Sequence, residues 1–248
     1  DPAFRKIFKA AAKRAKPSVP HSLSAASSDL GPLFTFIEAL SFKEEKPLRL
    51  RAILLLRIAT FARNSDIANI SVTMSKVTPD GLQIAFFPLK QSSRQVMEAR
   101  TVQRNTAKQM LCPVFAFECY KAFREQDSRL RSTGAIEHRL FLSLRSEKLK
   151  PLSSDRIGSL TREALQKCGL PLKPHDLRSR CASLAISEDM PIEAVLSAGG
   201  WKCESTFRRH YLAPKMGSDA VTRVSHASPK QDPLTDTSVS SESGLESA

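Results

Sequence analysis

The feature that most constrains this chain is its longest apolar run, AILLLRIATFA from Ala52 to Ala62, interrupted by a single cation, Arg57. It is far shorter than the ~20 residues a membrane span needs. It therefore reads as a core helix of a soluble domain, opened by Pro47 at a first-turn position and running from about 47 to 62. A chain of 248 residues with 41% hydrophobic and 25% charged residues has ordinary globular composition. At roughly 100 to 200 residues per domain, it has room for one large domain or two small ones.

The pattern around that run sets an order of elements. Residues 1–27 form a basic segment and linker: DPAFRKIFKAAAKRAK has the spacing of a short basic helix, and a Ser- and Pro-rich connector follows. Asp29 is placed to cap a helix that runs through Ala39. From Ile70 to Val102 the pattern changes to β-type runs, ISVTM, LQIAFFPL and VMEARTV, separated by TPDG and QSSRQ, which predict a three-stranded antiparallel meander. A helix over Pro113 to Phe123 and a short extended segment, RLFLSL, come next. Ser153 or Ser154 then caps a helix ended by Gly169, and further helices are expected near 175–187, 191–198 and 204–212. The Ser/Thr-rich acidic tail, 215–248, has almost no large apolar side chains and is expected to be disordered. The fold class is α+β, mainly α-helical with a small three-stranded antiparallel sheet. Asp1 stands where a full chain would have Met, so the sequence reads as a piece of a longer one.

Charge narrows the partners. With 38 Lys+Arg against 25 Asp+Glu the net charge is +13, which favours a polyanion. Five cysteines (Cys112, Cys119, Cys168, Cys181, Cys203) form no C-x-x-C, and their number is odd. Neither a disulfide framework nor a zinc ribbon is indicated, and a reducing, intracellular compartment is the simpler expectation: nuclear in a eukaryote, cytoplasmic otherwise. Hydrolase, nucleotide-binding and zinc-protease motifs are missing from the sequence. Glu137 and His138 read as an exposed polar pair.

The chemistry concentrates near the C-terminus. Pro174-His175-Asp176-Leu177-Arg178 puts an imidazole and a guanidinium three residues apart, on one face of a helix. Gly199-Gly200-Trp201 follows, with Trp201 twenty-three residues after Arg178 and Tyr211 ten after Trp201. This stretch resembles the active-site segment of the tyrosine recombinases, the phage integrase family, whose pattern is H-x-x-R, then His or Trp, then a nucleophilic Tyr. The family also has an arginine after an apolar helix and a lysine in a β-hairpin. Arg63 in Phe61-Ala62-Arg63-Asn64-Ser65-Asp66 and Lys90 at the end of the second predicted strand fall in those places. The resemblance covers about 28–214, the expected catalytic domain. R-N-S-D and W-x-x-x-S-T-F-x-x-x-Y are most similar to recombinases of DIRS-like and related eukaryotic mobile elements. Many members place the tyrosine nine residues after the His/Trp. The ten found here would turn it by about 100° on a regular helix. Members also carry an N-terminal helical DNA-binding domain, of which residues 1–27 would be a remnant.

The resemblance implies a catalytic set of Arg63, Lys90, His175, Arg178, Trp201 and Tyr211. Arg63 and Arg178 would hold the phosphate through bidentate guanidinium hydrogen bonds. His175 would accept or relay the proton of a phenol whose ordinary pKa is near 10. Lys90 would protonate the leaving 5′-hydroxyl, with Arg94 or Lys76 as substitutes, and Trp201 would give its indole N–H to a phosphate oxygen. The product is a 3′-phosphotyrosyl link, so no cofactor, ATP or metal is implied. Expected partners are double-stranded DNA and copies of the chain itself, as a homo-tetramer on two duplexes, with no membrane. Each residue also has a plain structural reading: Trp201 could plug a helix corner, Arg63 could be a helix-end cation, and Tyr120 is set aside as a core residue among Phe115, Phe117 and Phe123. A non-catalytic DNA-binding relic or regulator and a type IB topoisomerase-like activity are the alternative functions.

Overall fold

The computed structural model describes residues 29–87, 98–128, 130, 138–143 and 149–210, the last through its backbone. Lys90, Arg94, Glu137 and Tyr211, the basic segment 1–27 and the tail 215–248 lie outside the described residues. Eight helices follow in chain order among them: α1 Gly31–Ala39, α2 Glu45–Ala59, α3 Asn64–Ala68, α4 Pro113–Glu125, α5 Ser154–Lys167, α6 Pro174–Ser187, α7 Ile192–Gly199 and α8 Glu204–His210. The strands are β1 Ile70–Val77, β2 Gly81–Phe86, β3 Glu98–Gln103, β4 Leu142–Ser143 and β5 Lys150–Pro151.

Helix α2 is the central element. Leu48, Ala52, Ile53, Leu54, Leu55 and Leu56 are buried in one core cluster with side chains of α1, α4, α5 and α6. Each such side chain removed from water contributes about 1.5–3 kcal/mol. The same helix buries three arginines, Arg49, Arg51 and Arg57. A buried guanidinium is tolerable only with acceptors, and Arg51 finds three main-chain carbonyls: Met110 at 2.6 Å, Glu38 at 3.3 Å, and Leu40. Its guanidinium also lies 4.0 Å over the Phe42 ring.

The helix begins two residues earlier than Pro47 suggests and stops at Ala59 rather than 62. Pro47 falls in the first turn, where its missing N–H costs nothing. The stop comes from Phe61, whose φ of 45° is left-handed and cannot continue an α-helix.

The meander is present as expected, in the order β1-β2-β3 with both pairs antiparallel. Gly81 closes the first turn against β3, where a Cβ would stand 2.4 Å from the Val102 carbonyl oxygen. β1 bulges between Ser71 and Lys76. There Ser75 Oγ donates to the Ser71 carbonyl (2.5 Å) and accepts from the Ala85 N–H (3.0 Å), which re-satisfies the interrupted ladder. The RLFLSL segment is extended in part: Arg139 bridges to Ser71, and Leu142–Ser143 pairs with Lys150–Pro151. His138 is exposed, and its Nδ1 lies 3.2 Å from Thr73 Oγ1.

The C-terminal helices follow their caps. Ser153 Oγ accepts from the Arg156 N–H at 3.2 Å to start α5, and Gly169, with φ 67°, follows its end. Helices α6 and α7 lie within a residue of their predicted bounds.

Candidate active site

Two turns with one design carry the motif residues. Arg63 precedes α3 as its N-cap, and its own N–H donates to Asp66 Oδ2 at 3.0 Å. Lys173 precedes α6, and its N–H donates to Asp176 Oδ2 at 3.0 Å. In both, a carboxylate three residues into the helix takes the flanking amide and sits where the helix dipole favours negative charge. Arg63 is thereby held at the mouth of α3 and His175 in the first turn of α6. Both side chains are exposed.

They meet across an open cleft of about 260 Å³ lined by Arg57, Arg63, Asn64, Ser65, Ser154 and His175. Elements from both ends of the domain build it: α2 supplies Arg57, the turn before α3 supplies Arg63, α3 supplies Asn64 and Ser65, α5 supplies Ser154, and α6 supplies His175. A cleft with two guanidiniums, an imidazole and neutral polar groups, and no carboxylate in its lining, suits an anion.

Arg178 and Trp201 are not in that lining. Arg178 is 1% exposed; its Nη1 donates to the Phe61 carbonyl and its Nη2 to the Gly199 carbonyl at 3.0 Å. Its guanidinium lies 3.8 Å from the centre of the Trp201 ring. The indole packs between Phe207 (4.8 Å, edge-on) and Phe61 (6.1 Å) and is 9% exposed. The two glycines before it have separate reasons. A Cβ on Gly199 would stand 1.7 Å from the indole, and Gly200 ends α7 in the left-handed conformation, φ 65°. Trp201 thus fills the helix corner, as its plain structural reading held, and at the same time shields the Arg178 guanidinium.

The bond from Arg178 to the Phe61 carbonyl falls on the left-handed residue two positions before Arg63. A non-glycine residue there costs on the order of 1–3 kcal/mol, sustained only when its surroundings over-determine it. Arg178 supplies one restraint and Arg100 on β3 supplies another. Arg100 Nη1 donates to the Thr60 carbonyl at 3.1 Å, and Nη2 lies 3.5 Å from Asp66 Oδ2 in a buried ion pair. The turn that presents Arg63 is therefore clamped by two buried arginines from distant elements.

Tyr120 is fully buried, stacked on Phe141 at 5.2 Å, and burial pushes its phenol up to about 12. Tyr211, the expected nucleophile, lies outside the described residues. Lys76, a substitute for Lys90, is an exposed β1 residue opposite Gln83 and is absent from the cleft lining. Sequence reasoning missed Arg57, Asn64, Ser65 and Ser154 as cleft residues. The one available signal was Arg57 itself, a lone cation in the apolar run.

Comparison with known proteins identifies the fold and the family. The model of the phage integrase family matches residues 28–217. Among solved structures, XerA recombinase aligns with a TM-score of 0.58 at 18% identity, covering 84% of this chain and 64% of its own. XerH site-specific recombinase, bound to its difH substrate in a pre-cleavage complex, aligns at 0.57 and 13% identity over 81% of this chain and 51% of its own. The Tn1549 transposon integrase with circular intermediate DNA aligns at 0.51 and 12% identity, over 84% of this chain and 66% of its own. This chain thus spans about half to two thirds of the length of these recombinases. A search of curated protein sequences gives no significant match. The matched span takes in both capped turns, the sheet between them and the Trp201 corner, and on it the chain belongs to the phage integrase family of tyrosine recombinases.

Proposed function

We propose that this chain performs site-specific DNA strand breakage and rejoining, cutting one strand at a time through Tyr211. The observation that carries the reading is the cleft: Arg63 and His175, from opposite halves of the sequence, line one carboxylate-free recess. In the proposed step, the Tyr211 oxygen attacks the phosphorus, and its proton passes to His175. The bond from phosphorus to the 5′-oxygen breaks, and Lys90 protonates the departing hydroxyl. One phosphodiester is exchanged for one phosphotyrosyl bond, so rejoining is the same reaction reversed and needs no external energy source.

Charge grows on the non-bridging oxygens during attack. Arg63, exposed at the mouth of α3, is the guanidinium placed to meet it. Arg178 acts in this proposal as a fixed buried charge bracing the Arg63 turn; to touch phosphate directly it must exchange a carbonyl partner. Two duplexes exchanged strand by strand require four active sites, hence a homo-tetramer on two duplexes. XerH was captured on DNA before cleavage and the Tn1549 integrase on an intermediate DNA, and double-stranded DNA is the substrate proposed here.

The test is a nicked duplex from which a short 5′-hydroxyl fragment diffuses away after attack. Wild type should form an SDS-stable covalent adduct, and Tyr211→Phe should bind the duplex with the same salt sensitivity yet form none. An adduct that persists in Tyr211→Phe overturns the nucleophile. Salt-sensitive binding with no wild-type adduct favours the DNA-binding relic instead.

A further inference from the structure

Arg57 is the cleft cation that no motif accounts for. It is 2% exposed, and burial lowers its pKa to about 10. Among the described residues no carboxylate lies within ion-pair distance of it. Its acceptors are instead the Asn64 side chain, through Nη1, and the Pro174 carbonyl, through Nη2, the latter 117 positions away in sequence. Asn64 directly follows Arg63, and Pro174 directly precedes His175. The guanidinium thus spans the two turns that present the cleft's functional side chains.

The far side of this bridge is also closed. Gly158 of α5 lies against the Asn64 amide, where a Cβ would come within 2.6 Å of Nδ2. The Asn64 side chain thus has α5 behind its nitrogen and Arg57 on its oxygen. A planar guanidinium with two forward N–H groups fits two acceptors at a set separation, which a single ammonium cannot do.

We propose that Arg57 is a positioning residue whose fork, joining Asn64 to the Pro174 carbonyl, sets the separation of Arg63 and His175 across the cleft. The catalytic consequence rests on the strand-transfer reading above, whereas the bridge itself does not, so the test measures both. Amide hydrogen exchange on the full chain reads the bridge. In Arg57→Met and in the milder Asn64→Ala, exchange over residues 63–68 and 174–178 should speed up together by roughly tenfold, with α4 as an unchanged internal reference. Arg51→Met removes an equally buried arginine elsewhere on α2 and should speed up neither segment relative to α4. On the nicked duplex, the two bridge variants should form adduct roughly a hundredfold more slowly, as a displacement of about 1 Å can cause. Arg51→Met should match wild type per folded molecule.

Unchanged exchange in both segments for Arg57→Met and Asn64→Ala overturns the proposal. So does an Arg57→Lys variant that equals wild type in exchange and adduct rate, because one ammonium cannot replace the fork. Coupled loosening in a protein that forms no adduct upholds the bridge and sinks only the strand-transfer reading.

Discussion

Helix α2 buries three arginines, and two of them, Arg51 and Arg57, solve the same physical problem with different results. Arg51 gives its N–H groups to carbonyls of Met110, Glu38 and Leu40, and stacks on Phe42. Near the end, Arg57 gives its own to Asn64 and Pro174. Both bury a cation among polar acceptors without a close carboxylate, and both join segments distant in sequence. The first set lies at the C-terminal end of α1 and in the short 3-10 turn before α4, which carry no functional side chain. The second belongs to the residues beside Arg63 and His175. A buried arginine is therefore a device for joining chain segments, and what it contributes to function is decided by what stands next to its acceptors.

The comparison can be broken most severely at Arg178, which braces the same site through Phe61 and Gly199. Arg178→Met leaves two buried carbonyls without their charged donor and should lower unfolding free energy by about 3–5 kcal/mol, read by urea denaturation. A loss below about 1 kcal/mol would mean the carbonyls find other donors. Arg51→Met should cost somewhat less, about 2–4 kcal/mol by the same measurement, because its hydrogen bonds are part-buried whereas those of Arg178 are buried. If its adduct rate per folded molecule also fell, the division between the two arginines of α2 would fail.

The paired caps sharpen the contrast further. Asp66 is buried against Arg100, whereas Asp176 is partly exposed. Asp66→Ala should therefore cost about 3 kcal/mol, because it removes the buried carboxylate partner of Arg100 and leaves only the exposed Glu98 at 3.4 Å, and Asp176→Ala only about 1 kcal/mol. Equal losses in thermal melts would show that the cap alone, not burial, sets the cost. The smallest structural effect is expected at the cysteines. Hydrogen bonds from Ser205 and Thr206 draw the exposed Cys203 thiol down to about 7, while burial pushes Cys181 up to about 12. Iodoacetamide should modify Cys203 first, faster as pH rises from 6 to 8, and leave folded Cys181 unmodified, as peptide mass mapping would show. Early modification of Cys181 would contradict its burial.

How far the sequence could be read differs between the parts of the site. The meander was legible because alternation and turn residues are local, whereas the need for Gly81 comes from the close approach of β3 to it. His175 and Arg178 were legible as a pair because three residues along a helix define a shared face. Yet the face reaches both the exposed cleft and the interior, and only packing shows that His175 takes the first and Arg178 the second. The end of α2 was misplaced by three residues. Phe61 is no helix breaker by type, and its left-handed φ is held in place by the carbonyl bonds of Arg178 and Arg100 around it.

What the sequence alone determined is the residue types and their order: a core helix, a small sheet, and the Arg63, His175, Arg178, Trp201 and Tyr211 pattern that carries the resemblance to the family. These are local quantities, set by side-chain chemistry and spacing. What only the tertiary structure decided is which arginines face the cleft and which brace it. The acceptors that make this choice are mostly main-chain carbonyls, present at every residue and so invisible in any pattern of side chains. They become specific only when folding brings Pro174 to Arg57 and Phe61 to Arg178, each across 117 positions of sequence.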